Sequence, residues 1–523
     1  MIRRDAALAA LAGLLLALSF PKFGHPACAW IALVPLFLAL SGWSGRPGPL
    51  PGTTPLRGVF LGLVTSLVFF CGTLYWTGPV LVTFGGLPAP LGVVSVLLLS
   101  LYLGLYNAVG TAALGVILRR YGTSGLWLAP AAWVSGEYLR GTLLSGFPWV
   151  VLGDSQIDVL PVAQLASVGG LYGVSLFVAF VNAALAYALL APPRVRVRTL
   201  AGTVAALVAV AVWGTWRVAD GSLTREGSPI RVGLIQGNVE QKEKWDPRQA
   251  RRIFTTYIAM TRDAVKRGAQ YVIWPESSTP FMFEEDAAGQ AIRDLAREVQ
   301  VPIQFGSDQM ARGLPGRSAE GAEAGGTPHL YNAAFLIGPD GSTGAVYRKM
   351  QLVPFGEFIP LQHWISFLSP LVGGLATFAA GESVTMLPVA GHQVSTAICY
   401  EVIFPRLARE AVDRGSELLT TITNDAWYGT TSAPYQHFAL ASMRAIEQGR
   451  YLVRAANTGI SGAVDPYGRV VGKSAIFEQT GMVVDVRFLQ GRTLYSRIGD
   501  VAAYASLAVT VLALALFRRR TVL

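Results

Sequence analysis

Apolar residues run in long, barely interrupted stretches through the first two fifths of the chain and again at its end. The part between them alternates short apolar runs with polar turns. The long stretches cover residues 6–21, 27–43, 58–78, 91–117, 124–139, 162–190, 199–217 and 501–517. A hydrocarbon core of ~30 Å needs ~20 residues of helix, so these eight read as membrane spans, the first, second and fifth being short for the purpose. The polar part, 218–499, reads differently. Strand-like runs fall at Ile230–Gln236, Tyr271–Trp274, Val301–Phe305, Ala333–Ile337, Val394–Ile398, Leu418–Thr423, Tyr451–Ala455 and Ile460–Val464. Helical periodicity covers about 247–268, 286–299, 402–414 and 434–449. Short β-branched runs separated by amphipathic helices predict a layered α/β domain. The expected fold is therefore an α-helical membrane bundle of about eight spans carrying an α/β domain, divided as 1–217, 218–499 and 500–523.

Composition agrees, at 52% hydrophobic and 14% charged, and charge placement orients the whole. The net charge is +10, yet residues 218–499 hold 27 basic and 27 acidic residues. The excess lies in the membrane part. Arg3, Arg4, Arg46, Arg57, Arg119, Arg120, Arg194, Arg196, Arg198 and Arg518 to Arg520 fall in alternate loops, against only Lys22, Arg140 and Arg217 on the other side. Positively charged loops stay cytoplasmic, so both termini are expected there and 218–499 outside, in the periplasm if the membrane is an inner one. The basic balance thus reports topology and gives no reason to expect nucleic-acid binding. Arg3-Arg4, the apolar stretch after them and Ala17-Leu18-Ser19 also suit a cleaved signal peptide. The next apolar segment follows almost at once, which favours a retained span.

Two insertions interrupt the α/β pattern. Residues 311–328 read as a surface loop. Residues 355–380 crowd aromatic and aliphatic side chains among Pro and Gly, the make-up of a loop that either packs onto its own domain or serves as a lid or lies against lipid.

Of three cysteines only Cys399 lies in the polar part; Cys28 and Cys71 lie in apolar stretches. A lone thiol is an inert core residue or a nucleophile. Glu276 ends the run Tyr271–Pro275, Lys349 follows Ala345–Tyr347, and Cys399 ends Val394–Ile398 before a helix expected near Glu401. Loops at strand ends are where α/β domains place reactive groups. A thiol of pKa ~8.5 needs a base or a positive field to become a thiolate. A carboxylate can take the proton, and a lysine with helix N-terminal amides can stabilise an oxyanion. Singly, each residue has a bland reading: a buried thiol, a turn carboxylate, a solvated basic edge. Metal hydrolysis is disfavoured by five scattered histidines without HExxH spacing, and neither a GxSxG elbow nor a P-loop occurs.

The words WPESS around Glu276, YRKMQLVPFGEF around Lys349 and ICYEVIFP around Cys399, in that order, resemble the Glu-Lys-Cys triad of the nitrilase (carbon–nitrogen hydrolase) superfamily. With spans on both sides, the chain is similar to the membrane-bound branch, the apolipoprotein N-acyltransferases. The resemblance extends to QGNVEQKEKW, TNDAWYG, QHFALASMRAIEQGRYLVRAANTGISG, FPKFG and the segment with Glu137, Arg140 and GFPW. It implies an αββα sandwich in which Cys399 attacks a phospholipid ester, Glu276 is the general base and Lys349 supports the oxyanion. The acyl chain then passes from the thioester to the α-amine of a diacylglyceryl-cysteine on an apolipoprotein. By the same resemblance Glu357 orients the lysine, Trp245, Tyr400, Glu401 and Trp427 line or gate the site, and no metal or organic cofactor is needed. Glu137 and Arg140, ionisable residues near one membrane face, read either as substrate-handling groups or as an interfacial ion pair. A membrane-anchored amidase acting on a small soluble substrate is the alternative enzyme. A transporter or receptor is the alternative of another class, and it would leave Cys399 dispensable.

Overall fold

The computed structural model describes residues 2–43, 52–244, 246–311, 328–358 and 378–516. Trp245, nearly all of the 311–328 stretch and the apolar middle of 355–380 lie outside the described residues. The chain forms two compact units. One comprises residues 1–221, 431–447 and 492–523; the other comprises 222–430 and 448–491.

The first unit is helical. Among the described residues, four helices are long and apolar enough to cross a membrane: Pro55–Leu74, Ala89–Thr142, Ala166–Leu190 and Pro193–Thr224. Pro26–Leu40 and Val501–Ala515 are apolar but shorter. Two expected spans are broken. The stretch 27–43 is a 3-10 turn, Pro26–Trp30, followed by the short helix Val34–Leu40. The fifth begins as a 3-10 segment, Gly122–Leu128, and becomes α-helical only over Ala129–Thr142. The sequence reading grouped the amphipathic helix at 434–449 with the polar domain. The structure instead places residues 431–447 in the helical unit, and the reason is polar. Gln436 Oε1 accepts hydrogen bonds from the indole nitrogens of Trp76 (3.2 Å) and Trp149 (2.9 Å), and its Nε2 donates to the carbonyls of Pro21 and Thr73. One side chain thereby satisfies groups from FPKFG, GFPW and the end of Pro55–Leu74, where polar atoms away from water need partners.

Twelve strands build the second unit: β1 (Ser228–Gln236), β2 (Tyr271–Ile273), β3 (Ile303–Ala311), β4 (His329–Ile337), β5 (Thr343–Arg348), β6 (Leu387–Val389), β7 (His392–Ile398), β8 (Leu418–Thr423), β9 (Leu452–Ala456), β10 (Gly462–Val464), β11 (Val470–Lys473) and β12 (Thr480–Phe488). They form two six-stranded sheets, ordered β12-β1-β2-β3-β4-β5 and β11-β10-β9-β8-β7-β6. Each sheet has a parallel centre, β1-β2-β3 or β7-β8-β9, flanked by antiparallel strands. Such central strands are covered on both faces, so β8 is buried at all six positions. Val232, Leu234, Ile273 and Leu336 of one sheet form a single core with Val394, Ile398, Ile422 and Val453 of the other. The opposite face of the first sheet packs Trp274, Phe305 and Phe335 against Ile253 and Tyr257 of helix Pro247–Lys266 and Ile292 and Leu295 of helix Gly289–Val299. Helix Pro405–Asp413 lies beside β7. Helix, sheet, sheet and helix therefore follow one another in layers.

Candidate active site

Glu276, Lys349 and Cys399 come from separate strand ends, those of β2, β5 and β7, and the fold brings them together. Lys349 Nζ lies 2.8 Å from Glu357 Oε1 and 3.5 Å from Glu276 Oε1, with the lysine side chain 1% exposed. Glu276 Oε2 accepts from the backbone N–H of Asn424 (2.9 Å), just after β8. Glu357 is held by its own turn, its Oε2 accepting from Val353 N at 2.9 Å. Cys399 is buried, and its electrostatic neighbours are Glu276, Lys349 and Asp425. Its φ is +52°, a left-handed conformation unfavourable for a non-glycine residue. Ser277 (+43°), Phe355 (+60°) and Asn238 (+51°), in the neighbouring loops, share it. Backbone held in this region marks places where the surroundings over-determine the chain, as they do around reactive groups.

The electrostatics follow from burial. It pushes the Cys399 thiol up to about 12; Glu276 adds to the shift, while Lys349 and a hydrogen bond with Thr423 oppose it. The resting site therefore holds a neutral thiol. Burial also works against the Lys349 ammonium, but Glu357 and Glu276 outweigh it and keep the lysine charged, its pKa raised above the ordinary value. Two further groups, neither anticipated from sequence, join the cluster. Lys244 donates to the Glu276 carbonyl at 3.4 Å and is pulled down by burial to about 8. Asp308, on β3, is pushed up by burial to about 6.

The expected supporting residues take the following places. Glu401 is fully buried: its Oε1 accepts from Tyr347 OH (2.8 Å), Met350 N (2.6 Å) and Gln351 N (3.0 Å), and its Oε2 from Ile398 N (2.7 Å). One carboxylate thus ties the segment after Lys349 to the residue before Cys399. The helix expected near Glu401 starts only at Pro405. Residues Cys399–Ile403 form a 3-10 turn, so a long helix N-terminus does not face the thiol. Tyr400 is buried edge-on against Phe404. Trp427 is 37% exposed, on the 3-10 turn Asp425–Tyr428. Glu137 and Arg140 are both buried in the helical unit. Glu137 Oε1 accepts from Leu152 N at 2.8 Å, and Arg140 Nη1 donates to the carbonyls of Phe147 (2.9 Å) and Trp149 (2.7 Å). Both hold the irregular backbone that follows their helix, where Leu144, Ser145 and Val150 have positive φ.

The remaining motif words are largely scaffolding. Asn457 accepts from Val239 N and donates to Val239 O and Asn424 Oδ1, while Asn424 donates to Gln241. This fastens the QGNVEQK loop to the ends of β8 and β9. Asp425 and Arg454 form an ion pair at 2.8 Å with neither side chain exposed. Gly306 lets the Glu276 turn lie on β3: a Cβ there would fall 2.7 Å from Glu276 Cα and drive into Ser277 N. Gly306→Ala is accordingly expected to cost ~1–3 kcal/mol, the usual size of overpacking. A thermal-shift measurement checks this, and an unchanged melting temperature would contradict the close fit.

Paired sheets with parallel centres, carrying Glu, Lys and Cys at their strand ends, define a carbon–nitrogen hydrolase domain, and residues 231–491 match the carbon–nitrogen hydrolase family. Residues 12–184 match the apolipoprotein N-acyltransferase N-terminal domain. The apolipoprotein N-acyltransferase of Geobacter metallireducens is 37% identical over 99% of this chain and 96% of its own length; that of Methylococcus capsulatus is 34% identical over 98% and 96%. Among solved structures, a nitrilase-superfamily amidase from Nesterenkonia is similar at 23% identity and a TM-score of 0.39, covering 54% of this chain and 97% of the amidase. The chain belongs to the apolipoprotein N-acyltransferase family.

Proposed function

We propose that Cys399, Glu276 and Lys349 carry the reaction of this N-acyltransferase in two half-reactions, moving a fatty acyl chain from a membrane phospholipid to the N-terminal amine of a diacylglyceryl-cysteine on an apolipoprotein. The observation that carries the mechanism is the buried cluster in which Glu276 and Glu357 flank the Lys349 ammonium, with Cys399 as its electrostatic neighbour. A thiol pushed up to about 12 does not ionise beforehand. Glu276 takes its proton as the sulfur attacks the ester carbonyl. Lys349 supports the charge developing on the carbonyl oxygen. The C–O bond breaks, Glu276 returns the proton to the departing lysophospholipid alcohol, and the thioester remains. The amine then attacks the thioester, the C–N bond forms, the C–S bond breaks, and the proton lost from nitrogen passes through Glu276 to the sulfur. Every atom and proton balances without a metal or organic cofactor.

The family match over residues 12–184 favours this reading over a merely tethered amidase. The alternate placement of basic loops supports eight spans, cytoplasmic termini and a catalytic domain outside an inner membrane. Intact-mass analysis of protein purified from membranes tests the mechanism. A fatty-acyl adduct on Cys399, cleaved by neutral hydroxylamine, is expected in the parent protein and absent in Cys399→Ala. Full N-acylation of lipoproteins by Cys399→Ala in cells would overturn it.

A further inference from the structure

Lys349 is not the only group between the two carboxylates. Asn332, in the middle of β4 and 4% exposed, donates through Nδ2 to Glu276 Oε1 at 2.8 Å and to Glu357 Oε1 at 3.0 Å. Its Oδ1 is buried and has no partner among the described residues. Both acceptors are carboxylates, so only the NH2 group can face them. The side chain is therefore placed for its donor, and its acceptor is left without compensation, which is costly in a buried strand. Asparagine is also disfavoured in strands, and every other residue of β4 from Tyr331 to Ile337 is apolar.

We infer that Asn332 is a positioning residue for acylation, a neutral bridge that holds Glu276 and Glu357 on either side of the Lys349 ammonium. This rests on the reading of Glu276 as the base. The charged or titratable groups around the bridge are Glu276 after β2, Asp308 paired with Asn332 across β3 and β4, Lys349 after β5, Glu357 in its turn, Lys244 and Cys399. A second lysine could also separate two carboxylates, but it would cancel the net negative charge that Glu276, Glu357 and Lys349 together carry. An amide leaves Lys349 as the cation between them.

The test uses the full chain in detergent micelles containing equal parts of phosphatidylethanolamine and phosphatidylglycerol, without acceptor. The rate of acyl-adduct formation is followed by intact mass from about pH 5 to 9, alongside the melting temperature. Asn332→Ala and Asn332→Asp are expected to acylate about 10- to 100-fold more slowly, the scale of one charge-assisted hydrogen bond. The acid limb of their rate profile should be displaced from that of the parent protein, because the bridge touches the carboxylate read as taking the proton. Asn332→Asp preserves side-chain volume and keeps the test decisive if the alanine variant folds poorly. A lowered melting temperature with a wild-type acid limb, or rates within about threefold of wild type, would overturn the inference. Cys399→Ala is run in parallel: an adduct persisting there would sink the underlying mechanism, whereas its absence beside unaltered Asn332 variants would sink only the bridge.

Discussion

Lys349→Met is expected to abolish detectable acyl-enzyme and to destabilise the catalytic unit by ~3–5 kcal/mol, the cost of removing one partner from a buried ion pair. The substitution leaves Glu276 and Glu357 facing one another with only Asn332 between them, in a site where Lys349 is 1% exposed. The sign of the pH effect follows from the direction of the lysine's shift. Its folded pKa lies above the ordinary 10.5, so its contribution to stability is complete below that value and is lost as pH rises through the folded value. The parent protein should therefore lose thermal stability above about pH 10.5 through this group, while Lys349→Met lacks that component. Thermal-shift curves at pH 8 and pH 11 check this. Equal melting temperatures for the two proteins at pH 8 would refute the ion-pair argument.

Glu401→Ala should be nearly as damaging, although Glu401 touches no reacting atom. Its removal strands four donors, Tyr347 OH and the N–H groups of Met350, Gln351 and Ile398. A buried donor left unmade costs ~1–3 kcal/mol, so the sum approaches the 5–15 kcal/mol that holds an ordinary domain together. Protein that still folds should acylate slowly, because the tie between the Lys349 and Cys399 segments is gone. Glu401→Gln is expected to recover part of the stability: one amide oxygen can still accept, while its NH2 opposes a donor. Proteolytic resistance and adduct rate distinguish the two variants. An alanine variant as protease-resistant as the parent would show that water replaces the carboxylate without loss.

Much of the α/β architecture was legible because its central strands are buried on both faces. Leu418–Thr423 and Val394–Ile398 are short β-branched runs that periodicity finds directly. The short edge strands were not legible. β6 is three residues long and contains Pro388, and three of the four β11 positions are exposed, so neither leaves a hydrophobic signature. The internal form of the apolar stretches was not legible for a related reason. A hydropathy run shows that a segment is apolar but not that it is helical throughout, and 27–43 and 124–139 begin as 3-10 turns.

For the site, Glu276, Lys349 and Cys399 were named from sequence through the words around them, WPESS, YRKMQLVPFGEF and ICYEVIFP in that order, since each residue singly has a bland reading. The sequence also marked the segments apolar enough to cross a membrane, since composition is a property of segments. Only the tertiary structure decided which residues support the triad. Asn332, Lys244 and Asp308 enter through contacts between residues far apart in the chain, and Glu401 gains its tie between the Lys349 and Cys399 segments the same way. Hydrogen bonds and electrostatic shifts depend on distance and burial, and neither exists until the two sheets have packed.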